Sequence, residues 1–188
     1  IHELNDLSNR STSFLKLKNN INLKSAILCK ENNHIIIVTN LGRMLKLEIN
    51  EENVPIMGKL AQGTPLIKLF PEESIVGAIC TPLETNKNLI LITNKANFIK
   101  VKINTLQVSK KGDLGSMSIL HKGSIKQSEE IIHTFTCNQL IGVITNHGRY
   151  ARIGEDTLES ISYSKKSNVL DLNEDEVLEL VKPLILKT

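Results

Sequence analysis

The chain has 188 residues, enough for one globular domain with a buried core, and 40% hydrophobic and 23% charged residues are ordinary for a soluble folded protein. This composition excludes a disordered, collagen-like or coiled-coil chain, and the longest aliphatic run, residues 35–38, is too short to cross a bilayer. The net charge is only +3, but residues 85–127 carry eight lysines against one acid, and residues 155–179 carry eight acids against two lysines. Such polarisation indicates either a face for an anion or two solvated surfaces that differ by chance.

Three gapless segments repeat along the chain, and each predicts a β-hairpin. They are residues 35–49, 89–103 and 141–155, with a Thr-Asn pair at 39–40, 93–94 and 145–146 and therefore periods of 54 and 52 residues. Each segment starts with an apolar, β-branched run, turns, and continues as an alternating strand. Gly42 and Gly148 suit the turn, whereas Ala96 followed by Asn97 predicts a shifted or slightly strained middle turn.

Two more strands complete each period. Third strands are predicted at 65–70, 117–121 and 168–172, with 13–17 as a truncated earlier copy. Fourth strands are predicted at 23–28, 75–80, 131–136 and 177–181. The pattern predicts an all-β, propeller-like fold of repeated four-stranded antiparallel blades, about three and a half in number. Within this single domain, residues 1–30 would end a preceding blade, and three blades would span 31–84, 85–137 and 138–188.

Basic side chains recur at two places in every repeat. Strand alternation gives Lys46, Lys100 and Arg152 one equivalent outward position, each two residues after a large side chain. The turns and the long connections add further cations: Arg43, Arg149, Lys59, Lys110, Lys111, Lys165 and Lys166. Because a phosphate backbone presents regularly spaced negative charge, this recurrence favours phosphate binding. The alternative is that outward strand positions are simply polar and that lysines guard strand edges.

No catalytic or metal-binding motif occurs in the sequence. The three cysteines, Cys29, Cys80 and Cys137, follow the fourth strands and are predicted to be small buried side chains. None of the five histidines has ligand spacing, no nucleophile or nucleotide-binding motif is present, and the loop residue Tyr163 reads as a packing or rim residue. We therefore expect no catalytic residue, no metal and no cofactor here. The missing export signal favours the cytoplasm, and the missing initial Met is compatible with a fragment.

The repeats resemble the C-terminal domain of the DNA gyrase A subunit and of its topoisomerase IV counterpart. The first copy carries the resemblance in IIIVTNLGRMLKL (35–47), GKLAQGTPLIKL (58–69) and EESIVGAI (72–79). Later copies keep Lys110, Lys111, Gly115, Gly148, Arg149 and Arg152, but depart from the pattern at Ala96 and Ser167. The resemblance covers nearly the whole chain and implies a β-pinwheel, a propeller variant whose neighbouring blades exchange strands. Since that family has more blades, we expect further blades or a partner chain at the open edges.

By resemblance, the chain is a non-catalytic domain of an ATP-dependent type II DNA topoisomerase that bends duplex DNA around a basic rim. The implied partners are double-stranded DNA, the remaining A-subunit domains and the ATPase B subunit, in the cytoplasm near the nucleoid or in an organellar equivalent. The implied rim contacts are Arg43, Lys46, Lys59, Lys100, Lys102, Lys110, Lys111, Arg149, Arg152, Lys165 and Lys166. The gyrase heptapeptide is absent, so gyrase and topoisomerase IV both stay open. The competing hypothesis is a protein-interaction module that docks through the acidic residues 171–179.

Overall fold

The computed structural model describes residues 15, 17–18, 21–58, 60–116, 129–136 and 140–184. The strands in these ranges are β1 Asn33–Thr39, β2 Met44–Glu48, β3 Ile75–Pro82, β4 Asn88–Thr93, β5 Asn97–Lys102, β6 Ile131–Thr136, β7 Ile141–Thr145, β8 Tyr150–Ile153, β9 Lys166–Asn168 and β10 Leu178–Pro183. A 3-10 turn, Ile103–Thr105, and one short helix, α1 Glu155–Ser160, follow β5 and β8. The predicted all-β fold class is confirmed.

The strands form three antiparallel sheets, and each sheet takes three of its strands from one repeat. The strand orders are β2-β1-β3, β6-β4-β5-β9 and β10-β7-β8. The first strand of every repeat is therefore central, between the second strand and the fourth strand. In the first sheet, Ile37 of β1 lies opposite both Leu45 of β2 and Ala78 of β3. The predicted first and second strands are found within two residues of their expected bounds.

Neighbouring repeats exchange a short segment at the outer edge of the second strand. β9 of the third repeat pairs with β5 of the second repeat, with Ser167 opposite Phe98. Ser116 of the second repeat makes the equivalent contact with Met44 of the first, through backbone hydrogen bonds of 2.8 and 2.7 Å in the two directions. This exchange identifies the propeller-like fold as a β-pinwheel.

Several predicted strands are absent or displaced. Residues 65–70 form no strand, because the Leu66 carbonyl and the Lys68 N–H bind the Gly112–Asp113 loop instead. Residues 23–28 also form no strand and are exposed, so the predicted strand of a preceding blade is wrong there. The third strand of the last repeat lies at β9, before the predicted 168–172. Residues 117–121, and all but 15 and 17 of 13–17, lie outside the described residues.

The sheets pack face to face through their hairpins. In one cluster, Ile36 and Met44 of the first sheet contact Leu91, Ile99 and Ile103 of the second repeat. In the other, the second sheet packs in the same way on the third through Ile92, Phe98, Val143 and Leu178. Both faces of a hairpin strand are consequently buried wherever another repeat follows. Strand β2 illustrates this, since its first four residues are all buried.

Candidate nucleic-acid interface

The Thr-Asn pair of each repeat ties the hairpin turn to the start of the fourth strand. Thr39 Oγ1 accepts the Arg43 N–H at 3.1 Å, and Asn40 Oδ1 accepts the Ser74 N–H at 2.9 Å. The same two bonds recur at residues 93–94 and 145–146. The most regular signature of the sequence is therefore a structural clamp, and it positions the basic side chains that follow it.

Arg43 is buried inside this clamp and does not reach the surface. Its guanidinium forms an ion pair with Glu73, stacks over the Phe70 ring at 4.4 Å, and donates to the carbonyls of Lys68 and Leu114. Burial raises the pKa of Glu73, but hydrogen bonds from Arg43, Thr39 and the Phe70 N–H outweigh it and lower that pKa to about 2. The structure thus gives Arg43 an internal partner in place of a phosphate.

A glutamate stands at the position of Glu73 in the other two repeats, but the cation that pairs with it comes from a different place in each. In the third repeat Arg149 pairs with Glu176 at 2.9 Å, although 48% of the arginine side chain is exposed. In the second repeat the arginine is replaced by Asn97, which donates to Glu129 at 2.8 Å. The cation in the second repeat is Lys166, which lies on β9 of the third repeat; its Nζ is 2.5 Å from Glu129 Oε2. Much of the positive charge at Arg149 and Lys166 is therefore offset locally.

Lys46 and Lys100 lie between repeats, so their predicted outward orientation is wrong. Each is only 6% exposed. Lys46 Nζ donates to the Ile103 carbonyl at 3.2 Å, and Lys100 Nζ donates to the Glu159 carbonyl at 3.0 Å. Each of these carbonyls belongs to a helical turn of the next repeat, Ile103–Thr105 for Lys46 and α1 for Lys100. The prediction failed because alternate residues of a strand face solvent only when one face of the sheet is uncovered, and here both faces are covered.

The remaining predicted contacts are at the surface. Arg152 is exposed and donates to the Tyr150 hydroxyl at 3.1 Å. Four exposed lysines form no ion pair within the described residues: Lys102, Lys110, Lys111 and Lys165. Lys59 lies outside the described residues.

An open polar cavity of about 200 Å³ beside the second sheet is lined by one of these lysines, Lys102. Its lining consists of Asn86, Lys87, Asn88, Lys102, Asn104 and Tyr163. The Nζ atoms of Lys100 and Lys102 lie 4.9 and 4.6 Å from the centre of the Tyr163 ring. No acidic residue lines the cavity, which we call the tyrosine pocket. Lysine, asparagine and tyrosine side chains are common phosphate contacts, so the tyrosine pocket is suited to an anion.

The strand exchange builds the tyrosine pocket, which explains why sequence reasoning missed part of it. Tyr163 belongs to the third repeat but is held against the second, because the Ser164 N–H binds the Lys100 carbonyl at 2.9 Å. Lys87, just before β4, was not predicted as a site residue. The lysine excess over residues 85–127 was the only sequence signal for it.

The described residues hold no group of three or more His, Cys, Asp or Glu side chains able to bind a metal ion. No helix among them is long and apolar enough to span a membrane. Cys29 and Cys80 are partly buried free thiols, and Cys137 lies outside the described residues. Burial, followed by the contact with Cys80, raises the pKa of Cys29 to about 12, so this thiol is a poor nucleophile at neutral pH.

Comparison with known proteins gives one family and a set of related folds. The family described as DNA gyrase C-terminal domain, beta-propeller, matches residues 33–82 and 87–138, more than half of the chain. A solved C-terminal domain of DNA topoisomerase IV is similar, with a TM-score of 0.76 and 19% identity, over 90% of this chain and 52% of that one. The C-terminal domain of E. coli ParC has a TM-score of 0.65 and 17% identity, over 90% and 69%. The chain thus spans about half the length of the first structure. No curated protein sequence matches it.

Proposed function

The chain belongs to the DNA gyrase C-terminal domain family, and from that membership we propose that it binds and bends duplex DNA as a non-catalytic part of a type II topoisomerase A subunit. Its proposed partners are double-stranded DNA, the remaining domains of the A subunit and the ATPase B subunit. Strand cleavage and ATP hydrolysis would then be supplied by those other parts. The proposed location is with the DNA, in the cytoplasm or an organellar equivalent.

The observation that carries this proposal is the pair of lysines in the tyrosine pocket, together with an exposed lysine close to Tyr163 in sequence, none of which forms an ion pair within the described residues. Lys87 and Lys102 line the pocket with three asparagines and no acid. Lys165 is exposed two residues after Tyr163. When a lysine without a carboxylate partner neutralises a phosphate, the DNA releases the counterion condensed there. This release is the main source of sequence-independent affinity for DNA.

The structure narrows the set of side chains proposed to touch DNA. Lys87, Lys102, Lys110, Lys111 and Lys165 are exposed and form no ion pair within the described residues. Burial disfavours three of the predicted rim residues: Arg43, Lys46 and Lys100. Pairing with carboxylates weakens the contribution of two others: Arg149 and Lys166. Lys59 and Arg152 keep their predicted role.

The competing hypothesis of protein docking through the acidic residues 171–179 has less support. Glu176 is fully buried and accepts the Asn173 N–H at 3.1 Å. The Asp171 carbonyl accepts a hydrogen bond of 2.6 Å from Arg149. Part of this acidic stretch therefore closes the same clamp that Glu73 closes in the first repeat.

The test is the affinity for a duplex of a few tens of base pairs, measured across a salt series. We expect the logarithm of the association constant to fall linearly with the logarithm of salt concentration. Replacing Lys87, Lys102 and Lys165 together by Ala should flatten the slope by roughly 0.9 for each phosphate that the variant no longer neutralises. The control replaces three other exposed lysines, Lys24, Lys30 and Lys182, and has the same net charge. An equal effect of both variants, or no binding by the folded chain at low salt, would refute the proposal.

A further inference from the structure

The tyrosine pocket stands on a backbone arrangement that the first repeat also has. Tyr163 of the third repeat bridges to Lys100 of β5, and Val108 of the second repeat bridges in the same parallel direction to Lys46 of β2. In both places the residue that follows donates its N–H to the carbonyl of that lysine, at 2.9 and 2.8 Å. Val108 is therefore the counterpart of Tyr163, and each is supplied by the repeat that comes next.

The two lysines of the pocket also have counterparts in the first repeat. Lys102 corresponds to Glu48, since these are the last residues of β5 and β2. Lys87 corresponds to Asn33, because the carbonyl of each accepts the N–H of the residue after the second strand, at 3.5 and 2.7 Å. The second repeat thus has two positive charges where the first has one negative charge and a neutral amide. Because the first repeat forms the same backbone without these lysines, the fold does not account for them.

The polar groups that line the tyrosine pocket are available to a ligand. Lys87 and Lys102 form no ion pair within the described residues. The three asparagine side chains of the pocket form no hydrogen bond there either. The first repeat differs again, because Asn50, the counterpart of Asn104, accepts the Asn53 N–H at 2.9 Å in a local turn. The pocket therefore offers ammonium and amide donors that no carboxylate neutralises.

We propose that the tyrosine pocket binds one phosphate group and that the bound phosphate stabilises the contact between the second and third repeats. Lysine amines neutralise a phosphate, and asparagine amides donate to its oxygens. The stabilisation follows from the origin of the lining, since Lys87 and Lys102 belong to the second repeat and Tyr163 to the third. A ligand held between two repeats binds only while they are in contact, so it shifts the equilibrium towards that state.

Two sources present the same phosphate chemistry, the backbone of a DNA duplex and a free phosphate ion. For a DNA phosphate the inference rests on the proposed function, and it adds that one point of the duplex is bound where two repeats meet. For a free phosphate ion the site works without DNA. The experiments below separate the two sources.

A nuclear magnetic resonance titration of the isotope-labelled chain with inorganic phosphate, at an ionic strength held constant with potassium chloride, tests the site. We expect saturable shifts of the backbone amide signals of Lys87, Lys102 and Ser164. Lys87→Asn with Lys102→Glu places the residues of the first repeat on the same backbone, so this double variant should fold and lose the saturable shifts. The control, Lys24→Asn with Lys30→Glu, has the same change of charge at two exposed lysines outside the pocket and should bind phosphate as the wild type does.

Amide hydrogen exchange tests the stabilised contact between the repeats. The Ser164 N–H donates across this contact to the Lys100 carbonyl, so its exchange reports how often the contact opens. At about ten times the dissociation constant of phosphate, this exchange should slow roughly tenfold, because opening releases the ligand. In the double variant phosphate should leave the exchange unchanged. That comparison separates binding in the pocket from the general stabilising effect of phosphate as a salt.

Addition of a duplex of a few tens of base pairs identifies the source of the phosphate. Duplex-induced shifts of the same amide signals, lost in the double variant, assign the site to a DNA phosphate, and shifts with inorganic phosphate alone assign it to a free ion. The inference is overturned if neither ligand gives saturable shifts, if the double variant keeps them, if the control loses them, or if phosphate does not slow exchange at Ser164. The DNA-binding proposal fails separately, when the folded chain does not bind the duplex at low salt although phosphate fills the pocket.

Discussion

The hairpin of the first repeat and the hairpin of the third repeat have similar sequences but different surroundings. The first is covered by the second repeat, so Met44 and Lys46 are buried, while Tyr150 and Arg152 at the same positions of the third are exposed. A residue's place within the repeat therefore does not decide whether it meets solvent. Coverage by another repeat within the described residues decides it. This comparison explains why a cation predicted on a basic rim can be a packing residue.

Removing the buried ion pair of the first repeat should have the largest effect. Arg43→Ala leaves the carboxylate of Glu73 buried without its cation, and such a change typically lowers the free energy of unfolding by about 3–5 kcal/mol. Urea unfolding measures it. The matched change Arg149→Ala should cost clearly less, because that guanidinium is half exposed and screened by water. Equal losses would mean that coverage by the next repeat does not set the strength of the clamp.

Acid should weaken the same clamp. The pKa of Glu73 is about 2 in the folded chain, against an ordinary value of 4.5. A carboxyl with a depressed pKa contributes stability that is present above pH 4.5 and is lost as the pH falls towards 2. In Glu73→Gln, unfolding followed by circular dichroism should show a flatter dependence on pH over this window. An unchanged pH dependence would remove Glu73 as its cause.

A methyl group at the exchanged glycine should also be costly. Gly115→Ala sets a Cβ against the backbone of β2 in addition to the left-handed φ, and we expect a decrease in stability of about 2–4 kcal/mol. Gly63→Ala has the same φ without the close approach, so it should cost about 1–2 kcal/mol. The difference between the two melting temperatures measures the close approach of neighbouring repeats. If the two variants melt together, that approach is looser than described.

The buried lysine should give the smallest effect of the series. Lys46→Met keeps most of the side-chain volume but removes the amine hydrogen bonds to the carbonyls of Ile103 and Leu106, of which the Ile103 carbonyl still accepts the Leu106 N–H, and this should cost about 1–2 kcal/mol of stability. The partner change, Arg152→Met, should stay within about 0.5 kcal/mol, as surface changes usually do. Thermal unfolding of the two variants measures this difference in stability. A larger decrease at Arg152 would show that the third hairpin is covered in solution.

The sequence predicted those parts of the fold that a repeat builds alone. The hairpins and three of the four fourth strands follow from apolar runs and the Thr-Asn pair, which act within one repeat. The third strands could not be placed, since β9 and Ser116 are positioned by the hairpin of the preceding repeat. The outward assignment of Lys46 failed for the same reason. The tyrosine pocket needs Tyr163 from one repeat and Lys102 from another, and sequence periodicity carries no signal for such a meeting.

The ion pair between Lys166 of the third repeat and Glu129 of the second makes the stability of one repeat depend on which repeat follows it. The second repeat has Asn97 in place of an arginine of its own, and its successor restores the charge from across the boundary. Where the third repeat has Lys166, the second has only the uncharged residues Leu114 and Gly115. A tandem array of identical second repeats would thus leave each of these carboxylates without a cation. The repeats share one backbone shape but are not interchangeable, because a repeat can depend on the repeat after it for the cation that pairs with its buried carboxylate.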